Sequence, residues 1–207
     1  MPSMDKLILS TAYFPPVSYF RLLAGHGETY IEVYENYIKQ TYRNRCIIYS
    51  AGGPLHLSVP VERGSFHKVH IKDLKIDYTK QWQRMHLRAI KAAYASSAFY
   101  EFYIDELTGI INSHIDYLID LNQELLHLVT GMIGIEPVVK STESFIASYP
   151  GATDRRYDLS PKNNIEEPAK VFEPYFQVFS NEHGFIPDLS ILDLLFNMGP
   201  ESYSYLQ

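Results

Sequence analysis

The 207-residue chain has a single cysteine, Cys46, which excludes an intramolecular disulfide framework. A lone thiol is typical of a reducing compartment, so we expect a cytoplasmic protein. No apolar run approaches the roughly 20 residues of a membrane-spanning helix, so no membrane span is predicted. The N-terminal sequence MPSMDKLILSTAYF lacks the basic and long apolar segments of a signal peptide, and we interpret it as a first strand.

The chain also lacks the short motifs of several enzyme classes. It has no glycine-rich phosphate loop, no dinucleotide-binding fingerprint, no nucleophile elbow and no paired cysteine motif. His67 and His70 are three residues apart in a predicted strand, where their side chains point to opposite faces. We therefore predict no metal site, and the residues assign no cofactor.

Charge is distributed unevenly along the acidic chain. The formal net charge is -6, but residues 1–100 carry 13 Lys and Arg against 7 Asp and Glu, whereas residues 101–207 carry 5 against 17. Two interpretations stay open: the basic half binds phosphate, or the two halves attract each other and dock. Nucleic acid is not a predicted partner, because the chain as a whole is acidic.

The spacing of apolar residues predicts one domain, residues 1–207, with a strand-rich part at 1–78 and a helix-rich part at 79–207. CIIYSAGGPLHLSVPV predicts a hairpin with a glycine turn, and PPVSYFRLLAGHG predicts a short helix between the first two strands. The predicted fold class is α+β, with a mainly antiparallel N-terminal sheet packed against C-terminal helices.

Two later segments complete the prediction. The polar stretch STESFIASYPGATDRRYDLSPKNNIEEP is interpreted as a long loop or an extended excursion over the surface. LSILDLLFNMG then predicts a closing helix, with Asp188 or Ser190 as its N-cap and Gly199 after its end.

The segment KQTYRNRC gathers the cations Lys39, Arg43 and Arg45 before the predicted hairpin. Guanidinium and ammonium groups suit carboxylate or phosphate ligands. We predict that Lys39, Asn44 and Arg45 bind a small anionic ligand, a phosphorylated sugar or a nucleotide sugar. In the alternative, the protein's own carboxylates, for example Asp193, neutralise Arg45 and the segment stabilises the fold.

Two polar residues fall on the apolar faces of predicted helices. His86 is predicted to be the catalytic base if its face opens on a cleft, and otherwise it is a hydrogen-bonded core histidine. Asn122 is predicted to be a substrate contact or a structural clamp, because a buried amide requires hydrogen-bond partners. Cys46 is interpreted as a small packed apolar residue rather than a nucleophile.

Five segments, covering nearly the whole chain in order, resemble the WbqC-like protein family. They are STAYFPPVSYF, KQTYRNRC, LHLSVPV, WQRMHLRAIKAAYASSAFYEFY and LSILDLLFNMG. The polar positions that match the family's pattern are Lys39, Asn44, Arg45, His86, Tyr94, Asn122, Asp193 and Asn197. Tyr94 is included on this ground among the predicted ligand-binding residues.

The chain departs from the family's pattern at two places. The family's leading His-Gln-Pro is Leu9, Ser10 and Thr11 here, and its acidic pair is replaced by Val-Tyr between Glu32 and Glu35. These differences predict a distinct subfamily with changed chemistry, if the replaced residues are catalytic elsewhere.

The resemblance implies a role in the biosynthesis of surface polysaccharide of the O-antigen type. The activity it favours is transfer of an acyl or aminoacyl group to a nucleotide-linked or phosphorylated amino sugar. The alternative is a non-catalytic binding or assembly protein of the same pathway, with a protein partner. The two differ in geometry: a concave pocket favours the enzyme, and a flat cationic face favours the interface.

Overall fold

The computed structural model describes residues 6–62, 69–158, 161 and 172–207. All the predicted ligand-binding and catalytic residues lie within these ranges, whereas His67 lies outside them. The strands are β1 (Lys6–Ser10), β2 (Glu28–Glu32), β3 (Arg45–Ser50), β4 (Gly53–Ser58), β5 (Val138–Ser141) and β6 (Thr153–Asp154). The helices are α1 (Val17–Gly25), α2 (Trp82–Tyr94), α3 (Tyr100–Asn112), α4 (Leu118–Ile133), α5 (Ser180–His183) and α6 (Ile191–Met198), with a final 3-10 helix at Gly199–Leu206.

The main sheet is parallel, so the prediction of a mainly antiparallel N-terminal sheet is wrong. Its strand order is β5-β2-β1-β6, and each neighbouring pair is parallel. The physical reason is α1, which connects β1 to β2. It carries the chain back to the end of the sheet where β1 starts, so β2 runs in the same direction as β1. The predicted hairpin of β3 and β4 is confirmed, but it forms a separate two-stranded sheet.

The hydrophobic core joins the main sheet to the helices. One cluster of buried side chains extends along the chain from Leu7 in β1 to Leu206 in the final 3-10 helix. Leu121 and Leu125 of α4 belong to this cluster and are each 1% exposed. The packing holds the N-terminal part of α4 near the carboxyl ends of the strands, where Asn122 contacts Thr11 directly after β1.

Of the two residues predicted as the N-cap of the closing helix, Ser190 is the one that caps α6. The Ser190 hydroxyl accepts a hydrogen bond from the Leu192 amide of α6 at 3.4 Å. The Asp188 carboxylate instead accepts from the amide and the hydroxyl of Ser18 in α1, at 2.8 and 2.9 Å. The Asp188 hydrogen bonds attach α1 to the segment that precedes α6.

Candidate functional site

Polar side chains collect where the parallel strands end. Ser10 ends β1, Glu32 ends β2, Thr142 follows β5, and Asp154 ends β6. In open parallel sheets, ligands bind in the crevice outside the carboxyl ends of the strands. Glu32 and Thr142 are buried, so the sheet directs charged and polar groups to one edge within the protein.

Glu32 is a fully buried carboxylate that uses its whole hydrogen-bonding capacity. Its Oε1 accepts from the Tyr34 amide and the Thr142 hydroxyl, each at 2.9 Å. Its Oε2 accepts from the Tyr149 hydroxyl at 3.1 Å and from Arg156 Nη1 at 3.2 Å. With all four acceptor positions filled, the Glu32 carboxylate is held in one fixed orientation.

Arg156 is the buried cation of this pair, and all of its N–H groups are used. Its Nε and Nη2 donate to the two Asp154 carboxylate oxygens, at 2.9 and 2.5 Å. Its Nη1 and Nη2 also donate to the carbonyls of Ile146 and Ala147, at 3.0 and 3.2 Å. Arg156 therefore attaches the loop after β5 to the end of β2 through Glu32.

A second buried ion pair lies beside the first. Arg43 Nε and Nη2 donate to Glu35 Oε1 and Oε2 at 2.8 and 2.6 Å, and both side chains are nearly inaccessible to solvent. Arg43 Nη2 also donates to the Ser10 hydroxyl at 2.7 Å, and that hydroxyl donates to the Arg156 carbonyl at 2.8 Å. Ser10 thus links the two ion pairs into one network.

Two small cavities open beside this network and share Thr11, Ala12 and Tyr19. One, which we term the arginine cavity, has a volume of about 10 Å³ and is lined by Arg43, Arg155 and Arg156 with the end of β1. The other, the Asn122 cavity, has a volume of about 50 Å³ and lies between the strand ends and α4. We call the two cavities together the crevice.

Asn122 is the predicted site residue that the structure places in the crevice. Its side chain is 2% exposed, and Nδ2 donates to the Arg43 carbonyl at 2.8 Å and to the Thr11 hydroxyl at 3.1 Å. Its Oδ1 is buried and has no hydrogen-bond partner among the described residues. Asn122 therefore clamps the Arg43 loop, lines a cavity and carries a buried acceptor with no described partner.

The other predicted anion-binding residues lie outside the crevice lining. Lys39 is exposed in the loop between β2 and β3, and Arg45 is half-buried at the start of β3. Asn44 is buried and its Nδ2 donates to the Val59 carbonyl at 2.8 Å. Tyr94 is fully buried in α2, where its hydroxyl accepts from the Tyr49 amide at 3.1 Å. Their binding roles stay predictions.

His86 is buried and lines neither cavity of the crevice. Its Nδ1 is hydrogen-bonded to the Tyr13 hydroxyl at 2.9 Å, and its ring packs against Trp82 at 5.2 Å between centroids. Burial lowers the pKa of His86 to about 4, although a hydrogen bond with the Ser58 backbone acts in the opposite direction. The role of a base stays a prediction, and the neutral, hydrogen-bonded ring matches the core-histidine alternative.

Two further side chains bear on the alternatives left open by the sequence. Asp193 Oδ2 accepts from Tyr175 and Gln177 at 2.7 and 2.8 Å, so the carboxylate proposed to neutralise Arg45 has other partners. The loop cation that pairs with a carboxylate in the core is Arg43. Cys46 is fully buried, and burial raises the pKa of its thiol far above the ordinary value, which is typical of an inert thiol.

The site predicted from the sequence did not include Glu32, Glu35 or Arg156. Glu32 and Glu35 were visible as charges that interrupt a β-rich segment, which is a signal for a strand end. Arg156 lies in the polar stretch interpreted as a loop or an extended excursion, and nothing in its local sequence separates it from a solvated arginine. Only the pairing of β6 with β1 brings it near Glu32.

The described ranges contain no group of three or more His, Cys, Asp or Glu side chains placed to hold a metal ion. None of the helices in these ranges combines the length and the apolar character that a membrane span requires.

Comparison with known proteins identifies the family. The WbqC-like protein family matches residues 11–167, a range that begins directly after β1 and Ser10 and includes β2, Arg43 and Arg156. The chain belongs to the WbqC-like protein family. It is also 29% identical, over 230 aligned positions, to an uncharacterised protein of Mycobacterium tuberculosis, with 97% of this chain and 96% of that protein covered. No solved structure matches the chain.

Proposed function

We propose that this WbqC-like protein is a cytoplasmic enzyme of surface polysaccharide biosynthesis, of the O-antigen type. It binds a phosphorylated or nucleotide-linked amino sugar in the crevice and transfers an acyl or aminoacyl group to the amine. The observation that supports binding is the crevice itself, in which two buried ion pairs joined through Ser10 lie beside open cavities at the carboxyl ends of parallel strands.

Arg155 is the most exposed of the three arginines that line the arginine cavity, so it is the cation that an anion at the mouth would meet. The side chains of Arg43 and Arg156 are 3% and 0% exposed and are engaged with Glu35, Glu32 and Asp154. Arg155 lines the same cavity with 33% of its side chain exposed, and its contact with the more exposed Asp158 is a surface ion pair at 2.8 Å. Such a pair is weak, so a phosphate is able to replace the carboxylate.

The transfer step balances with a thioester as the acyl donor. The free amine of the sugar attacks the thioester carbonyl, a C–N bond replaces the C–S bond, and the thiol leaves with the amine proton. Positioning the amine beside the donor accounts for most of the acceleration that such a site supplies. His86, which is hydrogen-bonded to the Tyr13 hydroxyl, stays the predicted base.

A second candidate function is non-catalytic binding of the same ligand, with a protein partner in the pathway. The observation that favours it is the pairing of the buried carboxylates beside the crevice. Glu32 and Glu35 both form ion pairs with arginines, and burial lowers the pKa of His86 to about 4. Binding needs none of these groups to accept a proton.

Isothermal titration tests the binding proposal. UDP-linked amino sugars and amino-sugar 1-phosphates are titrated into the protein, its Arg155→Gln variant and, as a control, the Arg84→Gln variant, whose residue is exposed on α2. We expect Arg155→Gln to weaken binding by about tenfold, the value of one charge-assisted hydrogen bond, and Arg84→Gln to leave it unchanged. No binding at millimolar concentration, or equal effects of both variants, contradicts the proposal.

Mass spectrometry separates the two candidate functions. The protein is incubated with an amino-sugar phosphate and a panel of acyl thioesters, and the mass of the sugar is followed. A sugar that gains the acyl mass supports the transferase. Binding without any product across the panel favours the non-catalytic candidate.

A further inference from the structure

Asn122 lines the Asn122 cavity, and its side chain carries a buried hydrogen-bond acceptor with no described partner. The amide orientation is fixed because Nδ2 points at the Arg43 carbonyl, a group that only accepts. The opposite atom, Oδ1, is therefore the oxygen, and it is buried without a partner in the described protein. A buried amide oxygen without a partner destabilises the protein, which indicates that a ligand or a water donates to it.

The remaining wall of this cavity combines apolar side chains with the polar residues Thr11, Gln123, Lys140 and Ser141. Ile31 and Val33 come from the end of β2, Ile119 and Leu126 from α4, and Ala12 from the turn after β1. The volume of about 50 Å³ is far below the roughly 300 Å³ of a site for a drug-sized ligand. The cavity therefore suits a short alkyl group that carries one hydrogen-bond donor beside it.

We propose that the Asn122 cavity holds the short N-acyl group of an amino-sugar ligand, whose amide N–H donates to Asn122 Oδ1. In a trans secondary amide, the N–H and the acyl methyl group lie on the same edge of the amide plane. One approach therefore presents the N–H to Oδ1 and the methyl group to the apolar side chains. The carbonyl and the sugar then point to the mouth of the cavity.

This inference rests on the proposed function, and it names the ligand class of the same site. The arginine cavity shares Thr11, Ala12 and Tyr19 with the Asn122 cavity. A single ligand therefore reaches both, with its N-acyl group in the Asn122 cavity and its anion at the mouth of the arginine cavity beside Arg155. In the transferase, the N-acyl sugar is the product, and the cavity holds the transferred acyl group.

The chemistry of the cavity predicts a selectivity among ligands. A sugar with a hydroxyl-linked ester has no N–H for Oδ1, and a free sugar amine brings a positive charge to a wall that already includes Lys140. A long acyl group exceeds the volume. We expect N-acetylglucosamine 1-phosphate to bind at least tenfold more tightly than glucosamine 1-phosphate, glucose 1-phosphate or the N-butanoyl analogue.

A cavity-filling variant tests the site without removing the Asn122 clamp. Ile119→Phe places a larger side chain against the cavity, and Leu128→Phe makes the same kind of change on α4 outside its lining. We expect Ile119→Phe to abolish the preference for the N-acetyl ligand and to leave the affinity for glucose 1-phosphate within twofold. Leu128→Phe should retain the preference.

The outcomes separate this inference from the proposed function. If all the sugar phosphates bind equally and Arg155→Gln weakens all of them, the proposed function stands and the N-acyl inference is wrong. If none binds, N-methylacetamide is titrated and the side-chain amide resonance of Asn122 is followed by NMR. A saturable shift that Ile119→Phe removes supports the N-acyl site, and no shift, or a crystal structure with only a water on Oδ1, overturns it.

Discussion

Glu35 and Arg43 form a two-point ion pair in the interior, with N–O distances of 2.8 and 2.6 Å. The pair fixes the loop between β2 and β3 against the carboxyl end of β1, because Arg43 also donates to the Ser10 hydroxyl. The basic segment in the N-terminal half therefore has two kinds of cation. Arg43 is a brace within the fold, whereas Lys39 lies exposed on the surface.

Replacing Arg43 should destabilise the protein strongly. Arg43→Met leaves the Glu35 carboxylate buried without its partner, and such losses typically cost about 3–5 kcal/mol. Urea denaturation followed by circular dichroism measures the free energy of unfolding. Arg155→Met, which breaks the exposed pair with Asp158, should cost at most about 1 kcal/mol. Similar losses for the two variants would show that the interior pair is not a brace.

Arg156→Lys should loosen the loop after β5. Lysine lacks the planar fork that contacts both Asp154 oxygens and the carbonyls of Ile146 and Ala147. We expect faster proteolysis near the half-exposed Ile146 and a loss of about 3 kcal/mol. The control is Arg88→Lys, an exposed change on α2, and unaltered cleavage of the Arg156 variant would contradict the brace.

His86 should titrate well below an ordinary histidine. Burial lowers its pKa from 6.5 to about 4, so the folded state keeps the ring neutral where the unfolded state binds a proton. Stability should therefore fall by roughly 3 kcal/mol as the pH drops from 6.5 to about 4. NMR titration of the ring measures the pKa, and His86→Gln should remove this part of the pH dependence. A ring that titrates near 6.5 would restore His86 as a base poised for neutral pH.

Asp193 should have the opposite effect in part of the same range. Burial raises the pKa of this carboxyl from 3.8 to about 6, although hydrogen bonds from Tyr175, Gln177 and Tyr94 act in the other direction. The folded state then holds a proton that the unfolded state has lost, so stability falls by roughly 3 kcal/mol as the pH rises from about 4 to about 6.

The Asp193→Asn variant isolates this contribution. Between pH 4 and 6 it should gain stability relative to the parent protein, and the difference should be constant above pH 6. The comparison is made in the His86→Gln background, because the two contributions oppose each other in this window. A difference that does not change with pH would place the pKa of Asp193 near its ordinary value.

The sequence predicts local structure better than strand pairing. The glycine turn and the alternating side chains of β3 and β4 fix the hairpin, since its partners are adjacent in the chain. The helix between β1 and β2 was also predicted. A helix that connects two strands is typical of a parallel pair, so this part of the sequence indicated the observed pairing. β5 and β6 could not be paired from sequence, because they are short and their partners in β1 and β2 are more than a hundred residues away.

The candidate site shows the same division. Asn122 was visible as a polar intruder on an apolar helix face, and the structure places it on a cavity. The partnership of Glu32 with Arg156 was not visible, because it depends on two parallel pairs that converge at one edge of the sheet. Arg43 and Arg45 look alike in the sequence, and only the fold buries the first and leaves the second half-buried.

Binding of an anionic amino sugar in the crevice at the strand ends is tested most directly by a crystal structure of the protein with N-acetylglucosamine 1-phosphate. The phosphate should lie within hydrogen-bonding distance of Arg155, and the acetamido N–H should donate to Asn122 Oδ1. Ligand seated instead in the groove of about 750 Å³ beside His26 and Tyr203, or at Lys39, with the crevice holding only water, would contradict it.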